Sequence, residues 1–227
     1  MHFVEIINMT EPVHLYGMML SGPVRCVVSF CRLSNIPVEF HNLDLTKKEH
    51  LSEDFSKINP FQAVPAITHG DYSLWESGAI VTYLAETFDT DSKWYPKDLK
   101  IRARINAYLH WHHDGVRSYI AKYMRPKYIF PKLFGAPELS PEVDAKLRTE
   151  FEVVFEVLKW LIADTGYVAR TQEVTMADVF ACCELTQSKF INFSFEPYPE
   201  VKAWYDQIMS EPIIAEINQV VLDFALV

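Results

Sequence analysis

The spacing of apolar residues changes its period once along the chain, and that single change limits the folds available to it. Up to about residue 88, short strand-like runs alternate with helical stripes. VHLYG at 13–17 is a β-like run, and from Pro23 to Asn35 the residues Val24, Val27, Val28 and Cys31 recur at helical spacing. VEFHNLDL then nearly alternates, and AVPAI and YSLW flank His69-Gly70-Asp71, a hairpin signal. ESGAIVTYLAETF places Ile80, Leu84 and Phe88 on one helical face. This order, β-α-β, connector, β-β-α, fits a small mixed sheet. After DTDSKWYPKDLK only the helical period remains, through Ile101, Ile105, Tyr108 and Leu109, then through Phe151, Val154, Phe155, Leu158 and Leu161. VTMADVFA reads as a helix start, with Thr175 and Asp178 spaced for a capping box and Val174 and Val179 for a hydrophobic staple. The expected architecture is an α/β N-terminal domain over 13–88, a linker over 89–97 and an all-α domain over 98–227. Residues 1–12 form an extension with no assigned role.

Composition removes several function classes. The chain has 227 residues, 49% of them hydrophobic, enough for a substantial core. Its formal charge of −9 argues against nucleic acid or an anionic membrane as partner. MHFVEIINMTEP has neither a basic start nor a long apolar core, so no secretory leader is expected. No apolar run approaches the ~18 residues of a spanning helix. Four cysteines without CxxC spacing read as reduced thiols of a cytoplasmic protein.

Three short motifs carry the chemistry. In LYGMMLSGPVR a strand-like run reaches Ser21 and then Gly-Pro at a helix start. The serine is either a helix cap or a hydroxyl aimed at a ligand. In AVPAI, Pro65 cannot serve inside a strand, and the preceding Val64 would present its backbone groups for pairing with a peptide-like molecule. In ESGAI, Ser77 by itself reads as an N-cap. Together with Glu76 it makes a helix start able to hold a carboxylate and an ammonium. VP followed by ES describes a receptor for a short zwitterionic peptide.

With NPFQAVPAI, WESGAIVTYL, WYPKDL, RARINAYL and TMADVF, these motifs resemble the glutathione transferases over nearly all of residues 13–220. Within them the likeness is to the theta class, through the serine-x-proline-x-arginine turn Ser21-Gly22-Pro23-Val24-Arg25. The resemblance implies a thioredoxin-like N-terminal domain, a helical C-terminal domain and a homodimer. It implies glutathione as cosubstrate with no metal and no tightly bound cofactor. It also implies conjugation of small electrophiles, with hydroperoxide reduction as a further activity. Ser21 would donate to the glutathione sulfur, and Val64, ahead of a cis Pro65, would pair with the cysteinyl residue. Glu76 and Ser77 would hold the γ-glutamyl end, His50 the glycine carboxylate, and Asp114 the γ-glutamyl amine of the other subunit's ligand. Trp111 and Arg117 are assigned to the electrophile pocket. A chain ending at Val227 is expected to leave that pocket open. Gly22 and Ala63 stand where the family often has polar side chains.

Other readings of the same residues remain at this point. Tyr16 competes with Ser21, since other classes of the family use a tyrosine near the first strand. Cys26 reads as a small core residue, and Arg25 as a structural donor near the turn. His110 and His113 share a helical face, but no third ligand completes a metal spacing. A non-catalytic relative, serving as a binding or assembly subunit, is the second functional reading.

Overall fold

The computed structural model describes residues 11–90 and 92–225. The chain divides into two compact units, 1–92 and 93–227. Most of the N-terminal extension, residues 1–10, lies outside the described residues, as do residue 91 of the linker and residues 226–227.

The first unit runs β1 (Val13–Gly17), α1 (Gly22–Leu33), β2 (Val38–Asn42), a 3-10 turn (Glu49–Leu51), α2 (Glu53–Ile58), β3 (Ala66–His69), β4 (Tyr72–Trp75) and α3 (Ser77–Thr87). The four strands form one sheet in the order β2-β1-β3-β4. β1 pairs parallel to β2 and antiparallel to β3, and β3 pairs antiparallel to β4. This is the thioredoxin-like arrangement. Strand alternation divides β1 cleanly: Val13, Leu15 and Gly17 are buried, while His14 and Tyr16 on the opposite face are half-buried. The core gathers Val13, Leu15, Val24, Val27, Phe30, Cys31, Ile67, Ile80 and Leu84, each without exposed surface. The hairpin between β3 and β4 has a two-residue loop, Gly70-Asp71. Gly70 takes φ +61°, a conformation that glycine enters without a Cβ penalty and that such loops favour.

The elements of the second unit are all helical among its described residues: α4 (Leu99–His112), α5 (Val116–Met124), a π-turn (Arg125–Ile129), α6 (Phe130–Phe134), α7 (Pro141–Ile162), α8 (Met176–Thr186), a 3-10 turn (Gln187–Ile191), α9 (Pro199–Met209) and α10 (Pro212–Ala225). Every residue of α8 is buried, making it the central helix. Its start is held by Asp178, whose carboxylate accepts from the backbone N–H of Thr175 at 3.0 Å, as the capping-box spacing predicts. The same carboxylate accepts from the N–H of Val168 at 2.9 Å and from Trp204 Nε1 at 3.1 Å. One side chain thus ties together the α8 start, the preceding loop and α9. No described helix is long and apolar enough to cross a membrane.

Candidate active site

The strand register brings the sequence motifs of the first unit to one end of its sheet. Tyr16, next to the end of β1, lies opposite Ala66 at the start of β3, and Ala66 lies opposite Trp75 at the end of β4. The turn after β1, the Val64-Pro65 segment before β3 and the Glu76-Ser77 segment after β4 therefore all leave the same end of the sheet.

Ser21 stands where β1 hands over to α1. Gly17 permits the close approach, since a Cβ there would come within 2.6 Å of a Val24 methyl. The turn is closed by the Ser21 N–H donating to the Met18 carbonyl at 2.8 Å. Ser21 has the extended backbone of an N-cap, and Pro23 occupies the first helical turn, where its missing N–H costs nothing. Yet the Ser21 hydroxyl makes no capping bond. Capping therefore does not account for the serine. Its hydroxyl is half-exposed at the N-terminus of a 12-residue helix, where the helix dipole favours negative charge.

Arg25 holds this turn from inside. The side chain is fully buried, and its Nη1 donates to the carbonyls of Met19 at 3.1 Å and Leu20 at 2.9 Å, the two residues before Ser21. Arg25→Ala is expected to leave both carbonyls unsatisfied and to destabilise the protein by about 2–4 kcal/mol. Arg25→Lys should lose less stability while still lowering kcat through a displaced Ser21. Urea unfolding alongside turnover checks both, and wild-type turnover in Arg25→Lys would remove the positioning role.

The other residues at this end of the sheet are placed as follows. The Val64-Pro65 peptide bond is cis, and β3 begins only at Ala66, which leaves Val64 half-exposed and outside the ladder. The loop leading to it is braced by Asn59, a buried residue that sequence reasoning passed over. Its Nδ2 donates to the Ala63 carbonyl at 2.7 Å, and its Oδ1 accepts from the Phe61 N–H at 3.0 Å. The signal was present, since Asn before Pro marks a turn, but its partners lie along a loop of irregular conformation. Glu76, rather than Ser77, occupies the N-cap of α3, which corrects the reading of Ser77 as the cap. Glu76 has φ +68° and ψ +110°, a strained conformation for an L residue, and strain of this kind collects at ligand-binding positions. Ser77 is buried in the first turn of the helix. His50 lies in the 3-10 turn before α2, with its Nδ1 buried and without a hydrogen-bond partner among the described residues. An orphaned polar atom of this sort calls for a ligand or water. The competitor Tyr16 lies within β1 instead, its ring stacked on His41 at 4.8 Å and tilted toward Phe55. Cys26 is buried, as are the other three thiols, and burial pushes that of Cys31 up to about 12.

In the helical unit, Asp114 is exposed in the turn between α4 and α5, not on a helix. Trp111 is partly exposed at the end of α4, its ring against Gly115, where a Cβ would meet the indole at 2.4 Å. Arg117 is engaged: its Nη1 pairs at 2.9 Å with Oε2 of Glu184, a buried carboxylate on α8. Gln187 Nε2 donates to the other oxygen at 2.7 Å, and His112 Nε2 lies 4.0 Å from Oε2. Burial, and after it the neighbouring Arg117 and His113, hold His112 well below the usual imidazole range.

A thioredoxin-like sheet that presents a free serine hydroxyl, a cis-proline segment and a Glu-Ser helix start at one end, in a chain continued by a helical unit, defines a glutathione-binding transferase class. Family models agree: the glutathione S-transferase N-terminal domain matches residues 11–86 and the C-terminal domain residues 119–212. The chain is 34% identical to mouse glutathione S-transferase theta-1 over 92% of its length and 89% of the relative's. Among solved structures, apo human glutathione-S-transferase T1-1 superposes with a TM-score of 0.86 at 31% identity, covering 95% of this chain and 91% of that one. A human theta-class enzyme in complex with the glutathione conjugate of 1-menaphthyl sulfate superposes at 0.84 and 29% identity, covering 94% and 88%. This chain belongs to the glutathione S-transferase family, and the relatives above are of the theta class.

Proposed function

We propose that this protein conjugates the thiolate of glutathione to small electrophilic carbon centres, and that it reduces organic hydroperoxides with the same thiolate. The observation that carries this reading is the Ser21 hydroxyl, uncapped at the N-terminus of α1 and at the same end of the sheet as Val64 and Glu76. Ser21 donates one hydrogen bond to the sulfur; Val64 pairs its backbone with the cysteinyl residue of glutathione. Glu76 and Ser77 receive the γ-glutamyl end, and the free Nδ1 of His50 meets the glycine carboxylate. This site belongs to a glutathione-binding domain spanning 13–88, followed by a helical domain from about residue 98. Trp111 supplies an aromatic wall for the electrophile. Arg117, placed at that pocket, is charge-paired with Glu184 and does not act there as a free cation. The protein works as a cytoplasmic homodimer in detoxification.

The test is a pH titration of the ultraviolet thiolate absorbance of the glutathione complex, with turnover against a halonitroarene, an epoxide, an alkyl halide and a hydroperoxide. An acid-shifted thiolate with turnover of at least one of these supports the enzyme. Glutathione binding without the shift points to a binding subunit instead. For the dimer, Asp114→Ala is expected to raise the Michaelis constant for glutathione by about tenfold or more, through loss of a charge-assisted bond. An unchanged constant rejects that role.

A further inference from the structure

We propose that His14, Glu39 and His41 form a zinc site that clips the edge strand of the sheet. His14 lies on β1, and Glu39 and His41 lie two residues apart on β2, so alternation sends both β2 side chains to one face. The parallel register sets His14 opposite Glu39 and Tyr16 opposite His41. The ligand atoms converge: His14 Nδ1 is 2.9 Å from His41 Nε2, and the Glu39 oxygens lie 3.5 Å from the former and 3.6 Å from the latter. All three offer one atom each within 4.8 Å of one another, and among the described residues no other trio of possible ligands does so.

With one atom from each residue inside 4.8 Å, the three side chains are close enough to converge on one ion after small rotamer adjustments. Zinc with bonds of about 2.0–2.1 Å to nitrogen and oxygen in a tetrahedron requires ligand atoms about 3.3 Å apart. Two imidazoles and one carboxylate are the donor set zinc accepts in three-ligand sites, with water in the fourth position. Calcium and magnesium prefer oxygen alone. The side chains are 31–62% exposed, so an ion can enter from solvent. The ring of His41 is also held in plane by its stack on Tyr16, which limits what the ion must order. Because the ligands come from two strands, zinc would bind the folded sheet and not the unfolded chain, and would raise its stability by mass action. The set shares no residue with the glutathione site, so this inference stands or falls independently of the transferase reading.

The experiment is isothermal titration of zinc chloride into the chelator-treated full chain, with thermal melting in parallel. Wild type should show a site at which His14→Ala and His41→Ala each weaken zinc binding by about a hundredfold or more, and at which Glu39→Gln weakens it by about tenfold. Zinc should raise the melting temperature of wild type but not of the two alanine variants. Equal melting of all four proteins in chelator shows that the variants fold, and Glu39→Gln, a nearly isosteric change at an exposed position, guards against a folding defect. Cobalt substitution should give a visible tetrahedral spectrum with no thiolate charge-transfer band, separating this site from the cysteines. Zinc bound equally well by the alanine variants, a thiolate band, or no site tighter than millimolar would overturn the proposal and leave a simple histidine–histidine hydrogen bond.

Discussion

Ser21→Ala should keep most of the affinity for glutathione yet lose roughly thirtyfold in turnover at pH 7. The expectation rests on the thiol. At an ordinary pKa near 8.5 only about 3% of a thiol is ionised at pH 7, and lowering it by ~2 units makes the thiolate the major form. A serine hydroxyl cannot remove the proton, but it can donate one hydrogen bond to the sulfur anion. The α1 dipole acts at the same spot. Removing the hydroxyl should return the bound thiol toward its ordinary titration, so the variant's activity should climb steeply and approach wild type near pH 9. A loss of activity that is the same at every pH would indicate displaced glutathione, not a protonated one. If wild type shows the acid-shifted thiolate and Ser21→Ala retains it, another group activates the sulfur, and Tyr16 is the next to remove.

The largest stability effect is expected in the helical unit, at Asp178. Asp178→Ala leaves the backbone N–H groups of Val168 and Thr175 and the Trp204 indole N–H buried without an acceptor, and should destabilise the protein by about 4 kcal/mol or more. Asp178→Asn keeps one carbonyl oxygen and should lose less. The wild type also carries a pH signature. Burial, opposed by those same hydrogen bonds, raises the Asp178 carboxyl from an ordinary 3.8 to about 6. The native chain then binds the proton that the unfolded chain has released between these values. This contribution therefore disfavours folding above about pH 6 and is relieved as pH falls to about 4. The gap corresponds to roughly 3 kcal/mol at 1.36 kcal/mol per pH unit. The stability difference between wild type and Asp178→Asn, read by urea unfolding, should widen on going from pH 7 to pH 5. A flat difference would place the titration of Asp178 near its ordinary value.

Much of the fold was legible in short stretches. The stripe Phe151, Val154, Phe155, Leu158 and Leu161 is buried along α7 as its spacing predicts, and Gly70 turns the hairpin where it was expected. The Thr175–Asp178 spacing marked the start of α8. Such signals are local: a helical face, a loop needing positive φ and a cap each involve residues a few positions apart, so their pattern survives in the sequence.

What only the tertiary structure decided depends on contacts between distant residues. Nothing near Ser21 in the chain says whether its hydroxyl caps α1; the folded turn leaves it uncapped. Trp204 lies 26 residues from Asp178, and no local spacing joins them. Glu184, the partner of Arg117, lies 67 residues away in sequence and is brought against it only by the packing of α8. His14 and His41 are 27 residues apart and became neighbours only through the register of two parallel strands. A slip of that register by one residue would turn His41 to the opposite face and scatter the three ligands, because side chains alternate along a strand.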